Sequence, residues 1–156
     1  VRTMARDLGL LLDTPVELKE LRRPTSGEFS LNQSITMQQL ADAYWLWQQK
    51  GEEDAMLRIL HPIEDLLSDL PRVVVKDGAA AALSHGAPLL RPGVVSFDED
   101  LKVGSEVLIV TMKGEAVAIA KMSQNSKVIP DMNQGEVAKP NCVLMKEDTY
   151  PRSWKK

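Results

Sequence analysis

Hydrophobic residues recur at two different periods along this chain, and the change of period divides it near residue 70. Before that point the spacing is helical. Met4, Leu8, Leu11 and Leu12 fall on one face of a helix over residues 2–12, which Pro15 ends. Thr36 followed by Gln39 is the pattern of a capping box, in which both side chains satisfy free N–H groups at a helix start. It predicts a helix to Lys50 with Leu40, Ala43, Tyr44 and Trp47 along one face, and Gly51 as its stop. Glu53 to Leu60 is expected to be helical, and Pro62 to open an amphipathic helix carrying Ile63, Leu66, Leu67 and Leu70. Phe29 and Leu31 alternate with polar residues, as in a short half-exposed strand.

From Arg72 onward the period is two. Val73-Val74-Val75 reads as a buried strand, and Asp77 is expected to accept hydrogen bonds from the N–H groups opening a thin helix from Gly78 to Ser84. His85-Gly86-Ala87 ends that helix, with Gly86 where a left-handed residue is wanted. Leu89-Leu90 is a further apolar segment, and Pro92-Gly93 turns the chain into a strand ending at Phe97. After the acidic turn Asp98-Glu99-Asp100, Glu106 to Thr111 is the strongest strand signal, and a turn at Lys113-Gly114-Glu115 leads to Ala116–Lys121. Ser123 to Lys139 reads as a polar loop. Pro140 argues against a central strand there, and Val143 to Met145 is expected at an edge. The predicted class is α+β: a helical part over 1–70 and a barrel-like β domain over 71–156.

Composition narrows the picture. With 44% hydrophobic and 26% charged residues, the 156-residue chain has the make-up of a globular protein rather than a disordered one. The net charge of −3 does not by itself suggest nucleic acid, but the charge is uneven. Residues 1–70 hold 7 Lys/Arg against 12 Asp/Glu, whereas residues 71–156 hold 12 against 10. The second part is therefore the one suited to phosphates. The single cysteine, Cys142, cannot form an intramolecular disulfide, and with His61 and His85 it lacks any zinc-ligand spacing. No metal or cofactor is expected. No stretch reads as a signal peptide or membrane span, so an intracellular setting is expected.

The order VVVKDGAAAALSHGA, then LRPGV, resembles the start of a PUA domain, a small RNA-binding pseudo-barrel. More narrowly it is similar to the PUA domain of the dyskerin family, the guide-RNA-dependent (box H/ACA) pseudouridine synthases. The likeness extends upstream through Val1-Arg2-Thr3, Leu8-Gly9-Leu10, Glu20-Leu21-Arg22-Arg23 and Ser26-Gly27, and downstream through Glu147 to Arg152 and Trp154. It implies that residues 1–70 are a remnant of a pseudouridine synthase catalytic domain and residues 71–156 the PUA domain. A chain that begins at Val1, inside such a motif, is expected to be cut from a longer protein. The family's uridine-attacking aspartate lies in a motif upstream of its arginine motif, and no aspartate here has that context. The nucleophile is therefore expected to be missing from this chain.

The same resemblance assigns roles. Arg2 would pair with the catalytic carboxylate and hold it ionised, and Leu21 would line the uridine pocket. Arg22 and Arg23 are candidates for phosphate contacts, or equally for internal ion pairs. In the PUA part, Lys76, His85, Gly86, Ala87, Arg91, Lys121 and Arg152 are candidates for holding the lower stem and ACA end of a guide RNA. Lysine and arginine position phosphates, and a glycine corner lets a nucleotide approach the main chain. Taken singly, each of these residues has an ordinary structural reading, such as a C-cap or a solvated rim. Three departures weaken the expected RNA contacts at one edge: Pro140-Asn141-Cys142, Lys146-Glu147 and the terminal Ser153-Trp154-Lys155-Lys156. The implied partners are guide and substrate RNA and the small core proteins of the H/ACA ribonucleoprotein. The compartment would be cytoplasmic in an archaeon and nucleolar in a eukaryote. Two other readings stay open: a stand-alone PUA-type RNA-binding accessory protein, and a protein-interaction platform using the acidic helical part.

Overall fold

The computed structural model describes residues 1–151, which fall into two units, Val1–Leu60 and His61 onward. The first unit is helical. Helix α1 (Arg2–Leu12) is amphipathic yet none of its residues is buried. A two-residue hairpin of β1 (Thr25–Ser26) and β2 (Phe29–Ser30) follows, turning at Gly27 with φ +57°. Leu31 belongs not to this strand, as its alternation with Phe29 suggested, but to a 3₁₀ turn, Leu31–Gln33. Its cause is local: Gln33 Oε1 accepts from the Ser30 N–H at 2.7 Å and pulls the chain into a turn. Helix α2 (Met37–Lys50) carries the full capping box, with Gln39 N–H donating to Thr36 Oγ1 at 3.2 Å and Thr36 N–H to Gln39 Oε1 at 2.8 Å. Gly51 closes it in the left-handed region, and α3 (Asp54–Ile59) packs back on it.

The second unit begins with α4 (Ile63–Leu66), one turn long rather than the two that the apolar spacing implied. Pro71 disfavours helix in the residue before it, and Leu67 and Leu70 pack instead on a cluster formed by Leu108, Val110 and Ala116. Glu64 Oε1 fixes this segment by accepting the Ala116 N–H at 2.7 Å. Strand β3 (Arg72–Val75), helix α5 (Asp77–Ser84), β4 (Leu89–Leu90) and β5 (Val94–Phe97) come next. They are followed by β6 (Glu106–Thr111), β7 (Ala116–Met122) and β8 (Glu136–Val143). The sheet order is β4-β8-β7-β6-β3-β5, with only β3 and β6 parallel.

This order dictates the curvature. β4 and β5 are the two outer strands, yet only the 3₁₀ turn Arg91–Gly93 separates them. Six strands laid flat would hold their edges about 24 Å apart, whereas the path from Leu90 to Val94 reaches at most about 14 Å. The sheet must curl into a pseudo-barrel. Its interior takes Val73, Val75, Val107, Ile109, Val117, Ala120 and Val137, plugged by Ala80, Ala81 and Leu83 of α5. β6 is buried on both faces, which explains its unbroken apolar run.

Two expectations are corrected in this unit. Asp77 is not a capping residue: it is the first residue of α5, after Lys76 as N-cap, and no side-chain cap bond forms. The turn is closed by the Lys76 carbonyl, which accepts from Ala79 and Ala80 N–H at 2.9 and 3.0 Å. Pro140 lies within a strand, so the polar stretch 123–139 ends in β8 rather than running on as loop. Proline is tolerated at edges and bulges, and both conditions hold here. β4 reaches only to Ala138, and Pro140 faces Ala120 where the β7–β8 register shifts.

The end of the described chain is tied back to the β6–β7 turn. Tyr150, 8% exposed, donates its hydroxyl to Glu115, and Thr111 Oγ1 donates to the same Glu115 oxygen at 2.9 Å. Lys113 Nζ sits 5.6 Å above the Tyr150 ring. The Tyr150 hydrogen bond, with smaller help from Thr111 and Lys113 and against some desolvation, holds the Glu115 carboxyl below the usual glutamate range. A depressed acid stabilises the fold above its unfolded pKa and loses that contribution as pH falls through its folded value. Chemical denaturation across pH is therefore expected to show an acid-side loss of stability that Glu115→Gln and Tyr150→Phe both reduce. Urea unfolding of Ile109→Ala, which empties a fully buried site, is expected to cost about 2–5 kcal/mol, whereas Leu57→Ala at a 69% exposed site leaves the midpoint nearly unchanged.

Candidate nucleic-acid interface

Helix α5 is made of residues small enough to divide between two jobs. Ala80, Ala81, Leu83 and Ser84 face the core, while Gly78, Ala79 and Ala82 are half-buried and form one wall of a surface groove. The opposite wall is built where the chain leaves the helix. Gly86, φ +80°, closes a two-bond C-terminal motif: its N–H donates to the Leu83 carbonyl at 2.8 Å, and Ala87 N–H to the Ala82 carbonyl at 3.1 Å. That reversal carries Ala87, Pro88 and Leu90 alongside the helix, and Pro92-Gly93 completes the wall. Gly93 is needed for close approach: a Cβ there would come 2.5 Å from the Cβ of Ala79. Its carbonyl accepts the Lys76 N–H at 2.9 Å, joining the two walls at one end.

The groove has a volume of about 500 Å³. Lys76, exposed, is the one charged residue among those that line it. Small apolar walls with an ammonium at the rim suit a flat ring that carries a negative group: the ring displaces water from the walls and the charge meets the lysine.

The sequence-predicted residues divide around this groove. Lys76 and Ala87 line it. Gly86 shapes it through its backbone without lining it. His85 is turned toward two carboxylates, with Nδ1 3.5 Å from Glu147 Oε2 and Nε2 3.3 Å from Asp148 Oδ1. It joins the end of α5 to the 147–148 turn. Arg91 is half-buried, its Nε donating to the Ile129 carbonyl at 2.7 Å and its backbone N–H to the Gly135 carbonyl at 2.9 Å. Lys121 is exposed on β7, directly across from Lys139. Arg152 lies outside the described residues, as does Trp154. In the first unit, Arg2 is on the first turn of α1 and borders a depression with Arg6, Asp13 and Glu17. Leu21, Arg22 and Arg23 are exposed in an irregular segment. The sequence pattern did not single out Ala79, Ala82, Pro88 or Leu90 as walls. The signal was available: positions 79 and 82 share a helix face that 80, 81 and 84 do not.

Among the described residues no group of three His, Cys, Asp or Glu is placed to hold a metal ion, and no helix is long and apolar enough to cross a membrane.

Comparison with known proteins gives two adjoining matches. Residues 2–68 match the tRNA pseudouridylate synthase B C-terminal domain, and residues 71–144 match the PUA domain. A probable tRNA pseudouridine synthase B from Sulfurisphaera tokodaii is 38% identical over 156 residues, covering 100% of this chain and 46% of that protein. The H/ACA ribonucleoprotein complex subunit DKC1 of Homo sapiens is 38% identical over 155 residues, covering 99% of this chain and 30% of the human one. Among solved structures, an H/ACA ribonucleoprotein bound to a substrate RNA containing 2'-deoxyuridine aligns with a TM-score of 0.82 at 34% identity, over 98% of this chain and 49% of that one. An archaeal box H/ACA complex of Nop10 and Cbf5 aligns with a TM-score of 0.82 at 33% identity, over 98% and 50%. The chain spans about half the length of the archaeal relatives it matches. A synthase B C-terminal domain and a PUA domain stand in tandem in this chain, and its likeness to the tRNA pseudouridine synthase B and H/ACA subunit proteins runs through both.

Proposed function

We propose that this chain supplies the RNA-holding part of an RNA-guided pseudouridine synthase. Its PUA groove takes unpaired nucleotides at the 3′ ACA end of an H/ACA guide RNA. The observation that carries the proposal is the lysine-rimmed groove between α5 and the Ala87–Gly93 segment, in a domain whose relatives include a subunit of the H/ACA ribonucleoprotein. Bases enter against Ala79, Ala82 and Pro88, and Lys76 meets a phosphate. Gly86 contributes by setting the corner, while His85 and Arg91 act from behind, by tying the groove's far end to the 147–148 turn and to Ile129.

In this reading residues 1–70 are the closing portion of the catalytic domain and residues 71–156 the PUA domain. Arg2 would steady a catalytic aspartate supplied by sequence outside this chain, and Leu21 would border the uridine pocket. Arg22 and Arg23, both exposed, would meet phosphates of the substrate RNA. The whole protein would isomerise uridine to pseudouridine in rRNA or tRNA, in company with the small H/ACA core proteins, in the cytoplasm of an archaeon or the nucleolus of a eukaryote. No cofactor enters the proposal.

Two measurements test it. Fluorescence anisotropy with an ACA-ended RNA is expected to show that Ala82→Glu, which sets a carboxylate on the groove wall, weakens binding at least about tenfold. Lys76→Ala is expected to lower the log–log salt slope by about 0.7, the share of one single-strand phosphate. Unchanged affinity in both variants, with the fold intact by circular dichroism, would remove the groove from the RNA path. An isomerisation assay with guide and substrate RNA is expected to give no pseudouridine from this chain alone; turnover would overturn the assignment of the nucleophile to sequence outside it.

A further inference from the structure

Helices α2 and α3 pack on each other and leave a cleft between them, wholly within the first unit. It is lined by Trp47 of α2, by Met56 and Leu57 of α3, and by Glu53 and Leu60, which flank α3. Leu57 is 69% exposed, Leu60 55% and Trp47 40%, so three large apolar side chains stand in water around one hollow. Tyr44 meets the Trp47 ring edge-on, with centroids 6.0 Å apart, and restrains it. An apolar patch with a polar rim marks a contact surface. At about 260 Å³ the cleft is below the roughly 300–1,000 Å³ of small-molecule sites, but it can take one large apolar side chain.

The charge around the cleft decides the class of partner. Glu53 borders both the cleft and an adjoining depression lined by Glu52, Asp54 and Arg58. Three exposed carboxylates thus face one guanidinium, and among the described residues no salt bridge joins them. Lys50 does not offset them, because its ammonium lies 5.7 Å over the Trp45 ring, about 200° round the helix from Trp47. The negative rim repels RNA and anionic lipid alike and attracts cations.

We propose that the α2–α3 cleft docks a basic protein segment, which inserts one leucine or aromatic side chain between Trp47 and Leu57. The lysines and arginines of that segment face Glu52, Glu53 and Asp54. Affinity comes mainly from the apolar anchor against the tryptophan, the residue type that most often dominates an interface. The exposed carboxylates orient the partner and speed its approach. An amphipathic helix laid along the cleft presents such an anchor with basic residues on either side. The site is independent of the RNA reading of the α5 groove, and neither needs the other.

The test uses the 156-residue chain and a fluorescein-labelled helical peptide of leucine and lysine, about 15 residues long. Two control peptides carry serine for every leucine, or glutamate for every lysine. Anisotropy is expected to show both controls binding at least about tenfold more weakly than the leucine–lysine peptide. Leu57→Ser, at an exposed position and with the fold checked by circular dichroism, is expected to weaken that peptide by a similar factor. The triple variant Glu52→Gln, Glu53→Gln, Asp54→Asn is expected to lessen the salt dependence of binding. Amide shifts in nitrogen-15 spectra should fall on residues 44–60. Equal binding of the serine control, or shifts confined to other residues, would overturn the proposal. So would a dimer of the unsubstituted chain that Leu57→Ser dissolves, since the cleft would then belong to a second copy. RNA binding by the α5 groove is expected to be the same in every variant, so either reading can fail alone.

Discussion

Leu90 and Val94 belong to opposite edges of one six-stranded sheet and are joined by three residues. No flat arrangement satisfies that connection, because a chain of that length cannot cross five inter-strand spacings. Closure of the sheet follows, and with closure comes an interior of limited width. Only a helix of small residues fits inside it, which is what α5 supplies with its alanines.

The groove is a by-product of the same closure. Because the turn Arg91–Gly93 has to run close to α5 to reach β5, it makes a cleft with the helix rather than a surface loop. Gly93 permits the approach, since any side chain there would collide with Ala79. The closeness of the walls is thus set by backbone packing and not by the side chains that a ligand would meet. Lys76 is held at the rim by its own backbone, which hydrogen-bonds Gly93, so its ammonium projects from a fixed point. A cation anchored in this way meets a phosphate with less ordering cost than one on a loose loop.

The helical unit is organised differently. α2 is stabilised largely by local chemistry, through the capping box at Thr36 and the left-handed glycine at residue 51. α1 has no side-chain cap, and its apolar residues remain on the surface, Leu11 at 84% and Leu10 at 76% exposure. An amphipathic helix draws most of its stability from burying its apolar face, so α1 in this chain is sustained chiefly by its own hydrogen bonds. The contrast with β6, sealed on both faces, gives the two units different sources of order.

Elements whose causes lie within a few residues were legible along the chain: α2 between Thr36 and Gly51, the Gly86 corner, the buried run of β6 and the turn at Gly114. The resemblance to the dyskerin family was legible too, since its motifs stand in order from one end to the other. Features that depend on distant partners emerged only once the chain was packed. Pro140, which has no N–H to donate, could join a strand because β4 is too short to need a donor there. His85 and Arg91 were turned away from the groove by Glu147, Asp148 and Ile129, which lie at least 38 residues off in the chain. The opposition of Lys121 and Lys139 arises from a register that no local pattern encodes. Periodicity reports which face of an element is buried; it carries no information about which element lies across from it.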